Sequence, residues 1–208
     1  MSDDIQKVPL FSEPAGMDSD RRTWLLATGA MGAAATAAVA VPFVSSFAPS
    51  ERAKAQGASV EVDISALPPG QMATVEWRGK PVWILRRTPE MLAALKDMPD
   101  LADPESKKDQ QPEYARNTDR SIKPEVFVTV GICTHLGCSP VTLPQGTANP
   151  SVPAGWKGGF FCPCHGSTFD FAGRVFRNKP APTNLEVPPH KYLADSKLLI
   201  GEDDSGAA

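Results

Sequence analysis

Two hexapeptides set the terms for this chain: Cys133-Thr134-His135-Leu136-Gly137-Cys138 and Cys162-Pro163-Cys164-His165-Gly166-Ser167. They hold all four cysteines and two of the three histidines. Thiolate and imidazole are soft or borderline metal donors, and no other stretch gathers them. Any fold this chain adopts must therefore bring two loops together around one site. Four cysteines confined to two boxes do not describe a general disulfide scaffold. With 21 prolines, 16 glycines and 7 % aromatic residues, the chain favours a loop-rich β structure over a helical bundle. The net charge of −3 provides no broad basic surface, so nucleic acid is not an expected partner.

The spacing narrows the chemistry. Cys133-x-His135 is followed by 26 residues and then Cys162-x2-His165. Each loop thus offers one sulfur and one nitrogen. Structural zinc sites pair like with like on each arm, so zinc is the first rival. A mixed arm suits a two-iron centre in which one iron takes both sulfurs and the other both nitrogens. Cys138 and Cys164 remain, one per loop. As further ligands they would oversubscribe the site; as a disulfide they would staple the loops on an oxidising side of a membrane.

The N-terminal quarter reads as targeting. Residues 1–20 are polar and mildly acidic, a flexible tail. Arg21-Arg22 then precede a run without charge from Thr23 to Ser50, long enough at ~1.5 Å per residue to cross ~30 Å of hydrocarbon. The arginine pair places the N-terminus in the cytoplasm and resembles a twin-arginine export signal, a route for proteins folded around a cofactor. A buried Ala-rich core helix is the alternative, and Ala53-Lys54-Ala55 has the form of a processing site. The expected boundaries are a cytoplasmic tail over 1–20, a signal anchor over 21–47, a hinge linker over 48–58 and a head over 59–208, with the cluster-binding part about 131–182. A helix–coil change in the linker would move the head by about 20 Å, although a passive spacer fits the same residues.

From Ser59 the periodicity is two: Val60, Val62 and Ile64, then Met72 to Trp77, then Pro81 to Leu85 after the turn Arg78-Gly79-Lys80. Thr88-Pro89-Glu90 predicts a helix start that fades near Pro99. Residues 100–123 are expected to be a surface insertion rather than core, with Lys107-Lys108 a solvated face. Val126 to Val130 predicts a buried strand entering the first box, and Gly155 to Phe161 leads into the second. Phe169 to Arg177 predicts a hairpin turning at Ala172-Gly173, Leu185 to Ile200 the last strands, and Gly201 to Ala208 a frayed tail. His190, without a partner motif, is expected to be an ordinary surface histidine.

The two boxes, with the anchor, linker, insertion and Pro180-Ala181-Pro182, resemble the Rieske iron–sulfur subunits of bacterial ubiquinol–cytochrome c reductase (cytochrome bc1) complexes. The resemblance implies an all-β Rieske-type head: a small antiparallel sandwich with a cluster-binding subdomain and an inserted helix-loop, on one transmembrane helix. It implies one [2Fe-2S] cluster with Cys133 and Cys162 on the inner iron, His135 and His165 on the outer, and a Cys138–Cys164 disulfide. Leu136 would shield the cluster, Ser167 would donate to a cluster sulfide, and Pro180 and Pro182 would flank a covering loop. As a subunit of a quinol–cytochrome c oxidoreductase, the chain would accept an electron and a proton from ubiquinol at His165 and His135. It would pass the electron to cytochrome c1, beside cytochrome b, in a dimeric complex of the bacterial inner membrane with the head in the periplasm. The rival readings are the small Rieske subunit of a molybdenum oxidase of arsenite oxidase type, and a non-redox zinc protein. The long insertion speaks against the first. One position departs from the family: Phe169 stands where a tyrosine hydroxyl usually bonds a ligand sulfur. Hydrogen bonds to cluster sulfur stabilise the reduced state, so Phe169 predicts a lower potential than in tyrosine-bearing relatives.

Overall fold

The computed structural model describes residues 19–50, 57–96, 98–147 and 149–205. Contacts divide the chain into two units, Met1–Ser50 and Glu51–Ala208. The first contains helix α1, Ser19–Ser45, none of whose residues is buried. At ~1.5 Å per residue its 27 residues cover ~40 Å, and it is long and apolar enough to cross a membrane. Trp24, Leu25, Val39 and Phe43 are all more than 60 % exposed, which in water alone would be an unusually large bare apolar surface. The expected tail over 1–18 and most of the expected hinge, 51–56, lie outside the described residues.

The second unit is built on three antiparallel three-stranded sheets. Their strands are β1 (Val60–Asp63), β2 (Met72–Trp77), β3 (Lys80–Arg86), β4 (Val126–Val130), β5 (Val141–Leu143), β6 (Gly159–Cys162), β7 (Ser167–Phe169), β8 (His190–Ala194) and β9 (Lys197–Ile200). The spatial orders are β1-β9-β8, β2-β3-β4 and β5-β6-β7. The middle sheet is covered on both faces, which explains why β4 is buried throughout. Period two divides its side chains. Val82, Ile84, Val126, Val128 and Val130 enter a core with Trp77 of β2 and with Leu198 and Ile200 of β9. Trp83, Leu85 and Phe127 enter a second core with Phe160, Phe169, Cys133 and Cys162. The site is therefore rooted in the second core.

Helix α2, Pro89–Lys96, starts as its sequence demands. Thr88 Oγ1 accepts the Met91 amide at 3.3 Å, Pro89 needs no amide partner, and Leu95 is buried.

Three expectations need correction. The 100–123 segment is not a surface insertion: Leu101, Ser106, Gln111, Ala115 and Arg120 are all buried. Its polar residues serve backbone groups of the core rather than water, so a polar composition hides a buried position. Lys107 and Lys108 are exposed, but the Lys108 ammonium donates to the Pro182 carbonyl at 2.8 Å. His190 is 1 % exposed, not a surface residue. Its amide donates to the Tyr114 hydroxyl, which itself donates to the His190 carbonyl at 2.9 Å, and its Nδ1 lies 2.9 Å from the Pro188 carbonyl. Within its described part, Gly201 to Asp203 of the tail are packed rather than frayed, while Asp204 and Ser205 are exposed. The Gly201 amide donates to Pro189, and a Cβ on Gly201 would lie 2.3 Å from the Trp77 indole nitrogen.

Candidate metal centre

Two buried strands deliver the two boxes. β4 ends at Val130; a side chain on the next residue, Gly131, would strike the Trp83 ring, and Cys133 follows two residues later. β6 ends on Cys162 itself. Each box then closes by the same device. The Gly137 amide donates to the Cys133 carbonyl and the Gly166 amide to the Cys162 carbonyl, both at 3.0 Å. Both glycines have positive φ, +83° and +75°. Without a Cβ they take the left-handed conformation freely, so each loop curls back over its own first cysteine. This glycine, four residues after each leading cysteine, was visible in both hexapeptides as a signal of matching turns.

The curl sorts the donors by depth. Cys133 and Cys162 are each 2 % exposed and free of any disulfide. His135 is half-buried and His165 exposed, and their rings meet edge to face with centroids 4.8 Å apart. Cys138 and Cys164 are joined, with Cα atoms 6.7 Å apart, so the bond ties the two boxes directly. The Cys162 sulfur also lies within 4.8 Å of both disulfide sulfurs. That group of three is not a ligand set, because two of its members are already bonded to each other.

Burial pushes the Cys133 thiol up, and the adjacent Cys162 sulfur adds to the rise. The His135 amide and the Ser167 hydroxyl pull the other way by hydrogen bonding to the sulfur. A buried sulfur that resists ionisation, with a second buried sulfur beside it and donors already aimed at it, suits a cation that would bind both as thiolates. Two sulfurs inside and two imidazoles outside match the donor set of a two-iron centre of the mixed type.

The remaining predicted residues surround these donors. Ser167 is fully buried, faces Cys162 across the β6–β7 ladder, and accepts the Ala181 amide at 3.0 Å. Ala181 is thereby drawn in, while Pro180 and Pro182 on either side stay exposed. Leu136 is 71 % exposed at the tip of the first box, an isolated apolar group at the rim. Phe169 is fully buried in the core that includes both free cysteines. His190 lies elsewhere, against Tyr114.

Sequence reasoning passed over the supports. Thr134 donates to the Thr183 carbonyl at 2.8 Å and ties the first box to the end of the proline loop. Asn184, fully buried, donates to the Asp103 carbonyl and accepts the Val175 amide. Nothing in the local sequence marks these partners, which lie 9 to 81 residues away.

Comparison with known proteins agrees with this geometry. Residues 109–189 match the family model described as the Rieske [2Fe-2S] domain. Residues 11–50 match one described as the ubiquitinol-cytochrome C reductase Fe-S subunit TAT signal. The chain is 56 % identical over 188 residues to the ubiquinol-cytochrome c reductase iron-sulfur subunit of Allochromatium vinosum, covering 90 % of each chain. It is 43 % identical to that of Blastochloris viridis, covering 88 % of this chain and 94 % of the relative. Among solved structures it is similar to a chain of a hyperthermophilic respiratory Complex III, at 28 % identity and a TM-score of 0.44, covering 83 % of this chain and 97 % of that one.

Proposed function

This chain belongs to the iron–sulfur subunits of ubiquinol–cytochrome c reductase, and from that premise we propose which residues perform its work and where. It is a Rieske [2Fe-2S] subunit of an oxidoreductase complex, part of the bc1 assembly. Cys133 and Cys162 hold the inner iron, and His135 and His165 the outer. The observation that carries this assignment is the presence of two buried free cysteines and two imidazoles that meet edge to face nearer the surface, with the other two cysteines consumed in a disulfide. When bound, the cluster supplies a one-electron acceptor.

The chain's own residues do the rest. His165 is exposed, so the ring nitrogen that does not face the metal is open to a quinol hydroxyl and takes its proton there. The half-buried His135 holds a second such nitrogen beside it. Leu136 presents an apolar surface for the quinol ring and shields the cluster at its rim. The disulfide and the Ser167–Ala181 contact hold the loops so that these groups stay aligned through turnover.

Cytochrome b and cytochrome c1 are the partners, ubiquinol the donor, and the working complex a dimer. Residues 21–47 anchor the chain in the bacterial inner membrane, with 1–20 cytoplasmic and the head, 59–208, in the periplasm. The twin-arginine family match and the apolar length of α1 support this placement. Residues 48–58 act as a hinge between the two redox partners. Three prolines at 53–55 should slow turnover and leave the cluster spectrum intact; normal turnover would remove the hinge.

The test of the whole reading is purification of the full chain from detergent-solubilised membranes. We expect b- and c-type haems to accompany it, and reduction to produce the low-temperature paramagnetic signal of a mixed Cys/His cluster. Stoichiometric zinc without that signal would overturn the ligand assignment. The molybdenum-oxidase and zinc readings have no specific observation in their favour.

A further inference from the structure

Behind the site, three buried guanidiniums converge on one short turn. The turn is residues 170–174, which begins one residue after β7 ends. Arg87, Arg120 and Arg174 are 2 %, 0 % and 3 % exposed. Arg87 donates to the Phe171 carbonyl at 3.2 Å, and Arg120 to the Ala172 carbonyl at 3.0 Å. Arg174 is paired with the fully buried Asp170 at 2.6 Å. Three cations and one carboxylate thus meet at the turn itself.

The pairing is uneven. Among the described residues, Arg87 otherwise donates to the Pro124 and Asp119 carbonyls and the Ser121 hydroxyl. Arg120 otherwise donates to Gln111 Oε1 and the Leu185 carbonyl. All of these acceptors are neutral. Carboxylates that do not touch them offset part of the charge: Asp119, Asp170 and Glu125 act on Arg87, and Asp170 and Asp103 on Arg120. Burial pushes both guanidiniums down to about 10, so they remain cations near neutral pH. Burying two cations on neutral acceptors is costly, and apolar residues of similar volume are often at least as stable. The arrangement therefore invites a role beyond holding the turn.

The field of these charges reaches the site through poorly screening material. Arg87 lies 5.2 Å over the Phe127 ring, Phe127 lies 6.3 Å from Phe160, and Phe160 is two residues from Cys162 in β6. Ser167, beside Cys133, begins the strand that leads to the turn. The turn lies three to five residues past Ser167, which pairs with Cys162 across the ladder, a contour of roughly 10–17 Å at ~3.3 Å per residue.

We propose that Arg87 and Arg120 are charge-bearing tuning residues whose guanidiniums, fixed on the 170–174 turn, raise the reduction potential of the cluster and so favour electron uptake from quinol; this rests on the ligand assignment above. Reduction adds one negative charge to the site, and a nearby fixed cation stabilises that state. With an effective dielectric of about 20 at this separation, removing one cation changes the oxidised-to-reduced ratio about tenfold.

The experiment is a redox titration of the full chain in its solubilised complex, followed by electron paramagnetic resonance. The variants are Arg87→Gln, Arg120→Met, Asp170→Asn and Arg87→Lys. At the wild-type midpoint, we expect the oxidised-to-reduced ratio to rise about tenfold in the first two. It should fall severalfold in Asp170→Asn, which keeps its Oδ1 acceptor but leaves Arg174 unneutralised. Arg87→Lys should hold the wild-type ratio. An unchanged ratio in the neutral variants, with wild-type g-values, overturns the proposal. So does Asp170→Asn moving in the same direction as the arginine variants, which would mark loosened packing instead of charge. If both arginine variants lose the cluster, the sign for Asp170→Asn decides alone, and an unchanged or raised ratio is fatal. Absence of the signal in the wild type refutes the ligand assignment, a separate failure.

Discussion

Replacing Ser167 by alanine removes one atom with two duties. Its hydroxyl lies against the Cys133 sulfur and accepts the Ala181 amide at 3.0 Å. The first duty is electronic. A hydrogen bond to a charged acceptor is worth about 1.5–3 kcal/mol, and it strengthens as the sulfurs gain electron density on reduction. Taking about half of it as the difference between redox states gives roughly 0.75–1.5 kcal/mol, or about 30–65 mV for one electron. The second duty is structural. Ser167 and Ala181 are both buried, so the Ala181 N–H would be orphaned, at a cost of about 1–3 kcal/mol to the proline loop. Ser167→Ala should therefore lower the midpoint potential by about 30–65 mV and destabilise the head. A redox titration of the full chain in its complex reads the first effect, and thermal unfolding the second. Thr134→Val serves as the control. It cuts another of the loop's tethers, Thr134 to the Thr183 carbonyl, without touching the Ser167 hydroxyl. If Ser167→Ala leaves the potential unchanged with a wild-type spectrum, or if Thr134→Val lowers it equally, the hydroxyl is not acting on the sulfur.

Three other outcomes are expected. Phe169→Tyr, in the core beside both free cysteines, should raise the potential by supplying a hydroxyl toward sulfur; an unchanged or lowered potential in a redox titration refutes this. His190 carries a pKa lowered mainly by burial, so the folded head resists its protonation. The unfolded chain binds that proton below about 6.5, and stability should fall by up to about 1.4 kcal/mol per pH unit as pH drops from there toward the depressed folded value. Melting curves of wild type and His190→Gln between pH 7 and 5 test this, since the variant should lose that slope. Mutating Cys138 and Cys164 to serine should cost about 3.5 kcal/mol by loop-closure entropy for a separation of 26 residues, and release the two boxes. Unfolding measurements that find no loss would show that the boxes are held by packing alone.

Much of the frame was legible in the chain. Period-two alternation marked β1 to β3, and the run from Val126 to Val130 marked a strand buried on both faces. Thr88-Pro89-Glu90 marked the start of α2 because capping is a local event, settled within four residues. The 100–123 segment misled because polar side chains ordinarily face water. Here Arg120 satisfies the Ala172 and Leu185 carbonyls, 52 and 65 residues away, and no local pattern announces such partners. His190 misled for the same reason: its neighbour Tyr114 is 76 residues distant.

Donor chemistry belongs to residue types and short spacings, so the two hexapeptides settled that one soft-donor site exists and what could occupy it. They also settled how each loop turns, since a glycine four residues after each leading cysteine is a local necessity. Depth is a different kind of property. That Cys133 and Cys162 lie inside, that the imidazoles lie outside, and that Cys138 reaches Cys164 depend on where β4 and β6 place two separate loops. That placement comes from the shared core of Trp83, Phe127, Phe160 and Phe169, to which distant segments contribute together. The charge gathered behind the site has the same origin, because burial and pairing are set by the fold as a whole and not by any neighbour in sequence.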